Sequence, residues 1–270
     1  MPLLDLPEAV SVLKDMAREA GTIAADLQRR SLQVDLKEDA SVVSNGDLAA
    51  EKRAFEVLAE RVPGTPVVSE ETPVGQLPPE HFLVVDPIDG TADYVNGGTR
   101  WGVLGAYVVA GRAVAGVIYQ PALERLIWGG EGLGCFVELE GRVSPVSPRD
   151  PGVPLDQLVM GTEFGPWLKS LPSGFMEGLL RGFRFVRANG SAADGLAEFL
   201  LGQTTGYIHV QGAKVWDMAP GAALARALGG GAVELGGNDL LHHGIDCSAL
   251  VARSPAQALE ILRQLGFPVR

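Results

Sequence analysis

The chain is poor in cysteine, aromatic residues and positive charge, and each shortage removes a class of function. Two cysteines, Cys135 and Cys247, in 270 residues sit in no CxxC or Cys/His spacing, which excludes the usual zinc sites. So small a number also argues against a secreted disulfide framework. Aromatic residues make up only 6%; Trp101, Trp128 and Trp167 have no basic stripe beside them and read as packing groups rather than a platform for stacked bases. Lys and Arg number 22 against 33 Asp and Glu, a net charge of -11. That balance disfavours a broad phosphate-tracking surface, so no nucleic acid is expected as a partner and cations are. The longest apolar run, residues 101–111, stops at Arg112, well short of the roughly 20 residues of a membrane span. The opening MPLLDLPEAV carries Asp5 and Glu8 where an export signal would be basic and then uncharged. These absences predict a soluble protein of a reducing, cytoplasmic compartment with no membrane association.

What is abundant points to a packed core: 46% hydrophobic and 20% charged residues fall in the globular range. Apolar residues from Leu4 to Leu27 recur at three- and four-residue steps, which predicts a helix with one buried stripe. A second helix is predicted from near Gly46 to the Pro63-Gly64 break. Short β-rich runs follow at Val67-Val68, 82–85, 103–109, 114–119 and 135–139, predicting a mostly antiparallel sheet. The stretch GRVSPVSPRDPGVP, residues 141–154, reads as a join between a half spanning 1–145 and a half spanning 146–270, packed as one unit. Beyond it the pattern alternates: strands at 158–160, 183–186, 206–210 and 249–252, and helices at 192–201, 217–228 and 255–265. That rhythm predicts a second α/β layer.

The segment FLVVDPIDGTADY concentrates the chemistry. An apolar strand ends at Asp86, and Asp89 follows after Pro87 and Ile88. Proline fixes its own φ and keeps Asp86 extended, while Gly90 permits a tight turn, so the two carboxylates converge. Thr91 is then placed to cap a helix whose free amides attract an anion. Glu70 and Glu71 follow the apolar run VVS at another predicted strand end, and Asp217 opens an apolar helix after Trp216. Each also has a plain reading, as a polar turn, a solvated pair or a helix cap.

Taken in order, these blocks resemble the inositol monophosphatase family of metal-dependent sugar phosphatases. The family's D-x-x-x-E helix is similar to Asp47 to Glu51, its glutamate pair to Glu70 and Glu71, and DPIDGT stands letter for letter at 86–91. W-D-x-A-A-G is similar to WDMAPG at 216–221, and GVIYQP and the G-S-A-A of Gly190 to Ala193 also fit. The resemblance implies an α/β (α+β) fold, the layered αβαβα sandwich of the sugar phosphatases, and a homodimer. It implies two or three magnesium ions, with manganese as a substitute. Glu70, Asp86 and the Ile88 carbonyl hold the first; Asp86, Asp89 and Asp217 hold the second; Glu70 faces a third through water. An all-oxygen set without nearby histidine or cysteine favours magnesium, calcium or manganese over zinc on chemical grounds as well.

The resemblance further implies that Thr91, supported by Asp47 and with Glu70 nearby, orients the attacking water. Phosphate rests on the amides of Gly90 and Thr91, and the substrate is bound by Asp89, Gly190, Ser191, Ala192 and Asp217. The implied activity is hydrolysis of a small phosphorylated substrate, inositol 1-phosphate first. Fructose 1,6-bisphosphate, histidinol phosphate and 3'-phosphoadenosine 5'-phosphate are alternatives, and a regulatory protein docking to a partner is a rival on the same fold. From spacing alone, Asp47 and Glu51 read as a solvated helix face.

Departures from the family pattern bear on the substrate. Asp93 and Tyr94 replace an asparagine and a phenylalanine, and Pro220 replaces an alanine, expected in the first helical turn where it is tolerated. Val210, seven positions before Asp217, stands where inositol-specific members carry an acid for sugar hydroxyls, leaving His209, Gln211 or Lys214 to supply polar contacts. His242 and His243 read as surface residues in a turn-rich stretch, and His81 as the start of a strand. The glycines near 229–237 lack the dinucleotide-binding spacing.

Overall fold

The computed structural model describes residues 3–30, 32–36, 42–72, 75–78, 80–165 and 168–269; Trp167 lies outside the described residues. Helices α1 (Leu6–Arg30) and α2 (Asn45–Arg61) enclose a small antiparallel ribbon of β1 (Val34–Leu36) and β2 (Val42–Ser44). There follow β3 (Val67–Ser69), β4 (His81–Asp89), the short helix α3 (Thr91–Val95), β5 (Gly102–Val109) and β6 (Arg112–Gln120). Next come β7 (Arg125–Gly130), β8 (Gly134–Leu139) and β9 (Arg142–Pro145). Strands β3 to β9 lie in chain order as a seven-stranded sheet, antiparallel at every pairing except β3 with β4. The rest of the chain supplies β10 (Val159–Thr162), α4 (Phe175–Gly182), β11 (Phe185–Ala188), α5 (Ala192–Leu200) and β12 (Gly206–His209). It ends with α6 (Val215–Ala227), β13 (Gly231–Glu234), β14 (Ala249–Ala252) and α7 (Pro255–Gln264). These strands form a mixed five-stranded sheet of order β11-β10-β12-β14-β13. Among the described residues, no helix is long and apolar enough to cross a membrane.

The two-residue period of the strands shows how the layers stack. In β4, Leu83 and Val85 pack with Leu13, Met16 and Leu58 of α1 and α2, whereas Phe82 and Val84 pack with Val215, Ala219 and Ala223 of α6. In β14, Ala249 and Val251 meet Leu196, Met218 and Ala222 of α5 and α6, and Leu250 and Ala252 meet Leu179, Ala258 and Ile261 of α4 and α7. The order is therefore helices, sheet, helices, sheet, helices, the αβαβα sandwich. Burial on both faces explains why the first strand of the DPIDGT segment is a continuous apolar run rather than an alternating one.

The structure differs from the sequence expectations in several elements. Strand β7 ends in two glycines and β9 lies in the proline-rich stretch, so neither has a strong strand signature; β9 is an exposed edge strand, where Pro145 costs no ladder bond. Helix α4 contains two glycines, which weaken its propensity, yet its Phe175 and Leu179 are buried against α7. Helix α6 starts earlier than expected, so Pro220 falls in its second turn, not its first. A proline there removes one intrahelical bond, and the helix stays continuous because residues 218–225 are all buried. His81 opens β4 as expected, and Trp101 and Trp128 are buried. His243 is exposed, but His242 is buried with its Nδ1 3.4 Å from Cys247 Sγ, and burial lowers its pKa to about 3. A buried neutral ring beside a thiol satisfies a turn-rich sequence as well as a solvated one does. Both cysteines are free and buried.

Gly116 on β6 faces α6 so closely that a Cβ would lie 2.5 Å from the Pro220 carbonyl oxygen. The sheet and helix backbones touch there, and backbone cannot swing aside. Gly116→Ala is expected to cost about 1–3 kcal/mol, the range for overpacking. A urea titration should show a lower midpoint at unchanged slope.

Candidate active site

The site begins with an irregularity in β4. Asp86 lies opposite Leu104 and Asp89 opposite Gly102, so Pro87 and Ile88 together face the single residue Val103. Residues three apart on a regular strand point to opposite faces; the extra residue of this bulge returns Asp89 to the side of Asp86. Pro87 is tolerated because a bulge does not use its missing N–H. The Ile88 side chain anchors the bulge in the core beneath α1 and α2, and its N–H donates to Asp86 Oδ1 at 3.0 Å. The strand thus runs to Asp89 instead of ending at Asp86.

Helix α6 brings in the third acid. Asp217 occupies the third position of the helix, where its Oδ2 accepts the Lys214 N–H at 2.7 Å and closes the helix start. Asp86, Asp89 and Asp217 each offer an oxygen, all within 4.8 Å of one another. Strand β3 supplies the fourth: Ser69 pairs with Val85, so Glu70 emerges beside Asp86. Burial, and then the charges of Glu70, Asp89 and Asp217, push the Asp86 carboxyl well above the usual range. Burial and the Asp89 charge do the same to Asp217. Asp89 rises to about 6, through burial opposed by hydrogen bonds from Ser191 and Ala193.

Gly90, in the left-handed region at φ +86°, turns the chain from β4 into α3. A side chain there would meet Ser191 Cβ at 2.9 Å. Gly90 is therefore the cap residue, and Thr91 is the first residue of α3 rather than its cap. Thr91 Oγ1 lies 3.2 Å from Asp47 Oδ1 and 3.0 Å from the Ile88 carbonyl oxygen. Asp47 is fixed in turn by a capping box: its Oδ2 accepts the Ser44 N–H at 2.8 Å and the Ser44 hydroxyl at 2.7 Å. Asp47 and Glu51 are both buried, which overturns the solvated-face reading. Burial raises the pKa of Asp47, and among the described residues Glu51 Oε1 has no hydrogen-bond partner.

The loop before α5 closes the site from the second sheet. Ser191 Oγ and the Ala193 N–H both donate to Asp89 Oδ2, the latter at 2.6 Å. Asp194 anchors this turn through Arg100 at 2.8 Å, Asn189 and Gln120 at 3.0 Å, and Arg125 at 3.1 Å. The departure at Asp93 has a local explanation here: its Oδ2 accepts the Arg100 N–H at 2.7 Å and closes the loop that presents Arg100. Sequence reasoning missed Glu163, just after β10, which accepts the Gly190 N–H at 2.7 Å and the Tyr207 hydroxyl at 3.4 Å. Burial, and then the Asp89 charge, push its pKa up to about 7. No spacing distinguished it; the only signal was an acid placed directly after an apolar strand.

The residues considered in place of an acid at 210 have other engagements. Lys214 Nζ pairs with Asp246 at 2.6 Å, Gln211 Oε1 accepts the Lys169 N–H at 2.7 Å, and His209 is buried with its pKa lowered to about 4 by desolvation. Val210 is buried in the layer facing α4 and α7.

A model of the inositol monophosphatase family matches residues 5–265. The chain belongs to this family. It is 33% identical over 258 residues to the protein described as Nus factor SuhB of Pasteurella multocida, covering 92% of each. It is 33% identical over 244 residues to an inositol-1-monophosphatase of Mesorhizobium japonicum, covering 87% of this chain and 89% of that one. The crystal structure of extragenic suppressor protein suhB from Bartonella henselae, 28% identical, has a TM-score of 0.78 over 94% of this chain and 97% of that one.

In this member of the inositol monophosphatase family the trio of aspartates offers hard oxygen donors, with no histidine or cysteine among them, which suits magnesium or manganese rather than zinc. Carboxyl groups with raised pKa bind protons more tightly folded than unfolded. Their contribution to stability is therefore full below the ordinary carboxylate range and is lost as pH rises through the folded value, about 6 for Asp89. A divalent ion reverses this by favouring the charged forms. The rise in thermal midpoint on adding magnesium is expected to be small at pH 5 and to grow steadily to pH 8. Equal shifts at both pH values would show that the cation binds elsewhere.

Proposed function

We propose that this chain is a magnesium-dependent phosphomonoesterase that hydrolyses a small polyol or sugar phosphate by direct attack of water, with inositol 1-phosphate the first candidate. One observation carries the reading: oxygens of Asp86 and Asp89 on a bulged strand and of Asp217 on a distant helix lie within 4.8 Å, against the burial and then the neighbouring negative charge that raise their pKa values. Such a set fits a divalent cation, with Glu70 and the Ile88 carbonyl at its edge. Magnesium held there supplies positive charge to the phosphate oxygens and lowers the pKa of water.

The chain's own groups do the positioning. Thr91 has one hydroxyl proton and two acceptors within reach, Asp47 and the Ile88 carbonyl. When the hydroxyl donates to Asp47, its lone pairs are free to accept a hydrogen bond from the attacking water and aim it at phosphorus. Asp47, pinned by Ser44, keeps that orientation, and Glu70 faces the same space. In this reading the phosphate rests on the Gly90 and Thr91 amides, and the leaving group faces Gly190, Ser191 and Ala192, next to Asp89 and Asp217. Val210 offers no acceptor for sugar hydroxyls, which keeps fructose 1,6-bisphosphate, histidinol phosphate and 3'-phosphoadenosine 5'-phosphate as alternative substrates.

The 33% identity to a protein described as Nus factor SuhB favours a second reading, a regulatory protein that acts by docking to a partner. Asp89→Asn separates the two. An enzyme should lose at least about 100-fold in kcat, because the charge that balances the cation is gone, whereas a docking protein should keep its cellular effect. Assay of the four candidate phosphoesters with and without magnesium tests the reaction itself, and turnover of none of them would overturn the phosphatase reading. Thr91→Ala should lower kcat by about 10²–10⁴, the range for losing a positioned proton acceptor, with KM nearly unchanged.

A further inference from the structure

Glu163 is 4% exposed and its hydrogen-bond donors are neutral: the Gly190 and Asn189 N–H groups and the Tyr207 hydroxyl. A carboxylate buried without a cation is costly, and a carboxamide or a methyl group would satisfy the packing more cheaply. Its place in the fold is specific. It follows directly on strand β10, and β12, paired in parallel with Gly161 opposite Tyr207, carries its Tyr207 donor. Its Gly190 partner begins the loop whose next residues grip Asp89 through Ser191 Oγ and the Ala193 N–H. The loop is therefore held on one side by Glu163 and on the other by Asp89, and the peptide plane between Asn189 and Gly190 is set by the Glu163 contact. Rotation of that plane would swing the Asn189 carbonyl and shift the chain leading into Ser191.

We propose that Glu163 is a positioning residue for the 189–193 loop, holding the Gly190 N–H so that Ser191 and Ala193 meet Asp89 and the bound phosphoester finds a preformed surface. The inference rests on the phosphatase reading for the nature of the ligand. Glutamine keeps an acceptor oxygen at the same reach; methionine keeps the length but offers an amide no good acceptor. In the full chain with saturating magnesium, Glu163→Met and Glu163→Ala are expected to weaken inorganic phosphate binding, measured by calorimetry, about 10- to 100-fold, because a loop that loosens its hold on Asp89 displaces the adjoining Gly90 and Thr91 amides by about an ångström. Glu163→Gln should stay within about 3-fold of wild type, and KM for the substrate should follow the phosphate affinities.

A folded Glu163→Met or Glu163→Ala protein that binds phosphate like wild type would overturn the proposal, reducing Glu163 to packing. So would a glutamine variant as weak as the methionine one, because the acceptor would then be irrelevant. Should alanine prevent folding, the methionine and glutamine pair carries the test. Wild-type protein that binds phosphate but turns over no phosphoester would overturn the phosphatase reading alone, leaving the phosphate titration to decide Glu163. Wild-type protein that binds no phosphate with magnesium present would overturn both.

Discussion

Mutual repulsion among Asp86, Asp89 and Asp217 in a buried pocket is the constraint around which the site is built. Left to themselves, such groups would swing apart or take up protons. The structure holds them by hydrogen bonds from neutral donors: the Ile88 N–H for Asp86, the Ser191 hydroxyl and Ala193 N–H for Asp89, and the Lys214 N–H for Asp217. An arginine would have fixed each carboxylate more strongly, but it would also have supplied the positive charge that a cation is meant to bring. The neighbouring Asp194 shows the contrast. It takes Arg100 and Arg125, lies outside the trio, and serves as an anchor.

Neutral donors hold a charged group only if the backbone that carries them is rigid, which explains where the site lies in the sandwich. The end of β4, the start of α6 and the start of α5 meet at one edge of the layers, each packed on both sides. Helix α6 touches β4 through Val215 and Ala219 and approaches β6 at Gly116, so Asp217 cannot drift from the strand. Close packing of this kind transmits displacement instead of absorbing it, and a core change well away from the acids reaches them through the helix.

Much of this was legible in the sequence because the relevant features are local. The apolar run into DPIDGT, the glutamates after VVS and the acid at the start of an apolar helix each follow from strand and helix chemistry, and their order carried the family. The strand-then-helix rhythm that includes residues 206–210 and 249–252 marked the second layer. What was not legible depends on contacts between segments far apart. Glu163 has no significance until the loop bearing Gly190 folds over it. His242 looks solvated until Cys247 is beside it. Asp47 and Glu51 look like a wet helix face because helical periodicity gives spacing but not what covers the helix. Strands β7 and β9 were missed because glycine and proline lower strand propensity, and neighbouring strands overrode it.

One departure from the family pattern, Asp93, is tied to the loop before α5. Asp93 accepts the Arg100 amide, and Arg100 reaches Asp194 across two segments separated widely in sequence. Arg100 is 54% exposed and Asp194 only 5%, so the pair in isolation contributes little, as half-exposed ion pairs do. Its consequence is geometric: Gln120 and Arg125 from the first sheet converge on the same carboxylate, tying both sheets to the turn that presents Ser191 and Ala193. Glu163 reaches the other end of that turn through backbone alone. Asp86 and Asp217 are thus fixed within their own elements, whereas Asp89 takes its hydrogen bonds from the loop. Sequence change on the loop side therefore reaches Asp89 through Ser191 and Ala193 while leaving the backbone contacts of Asp86 and Asp217 in place.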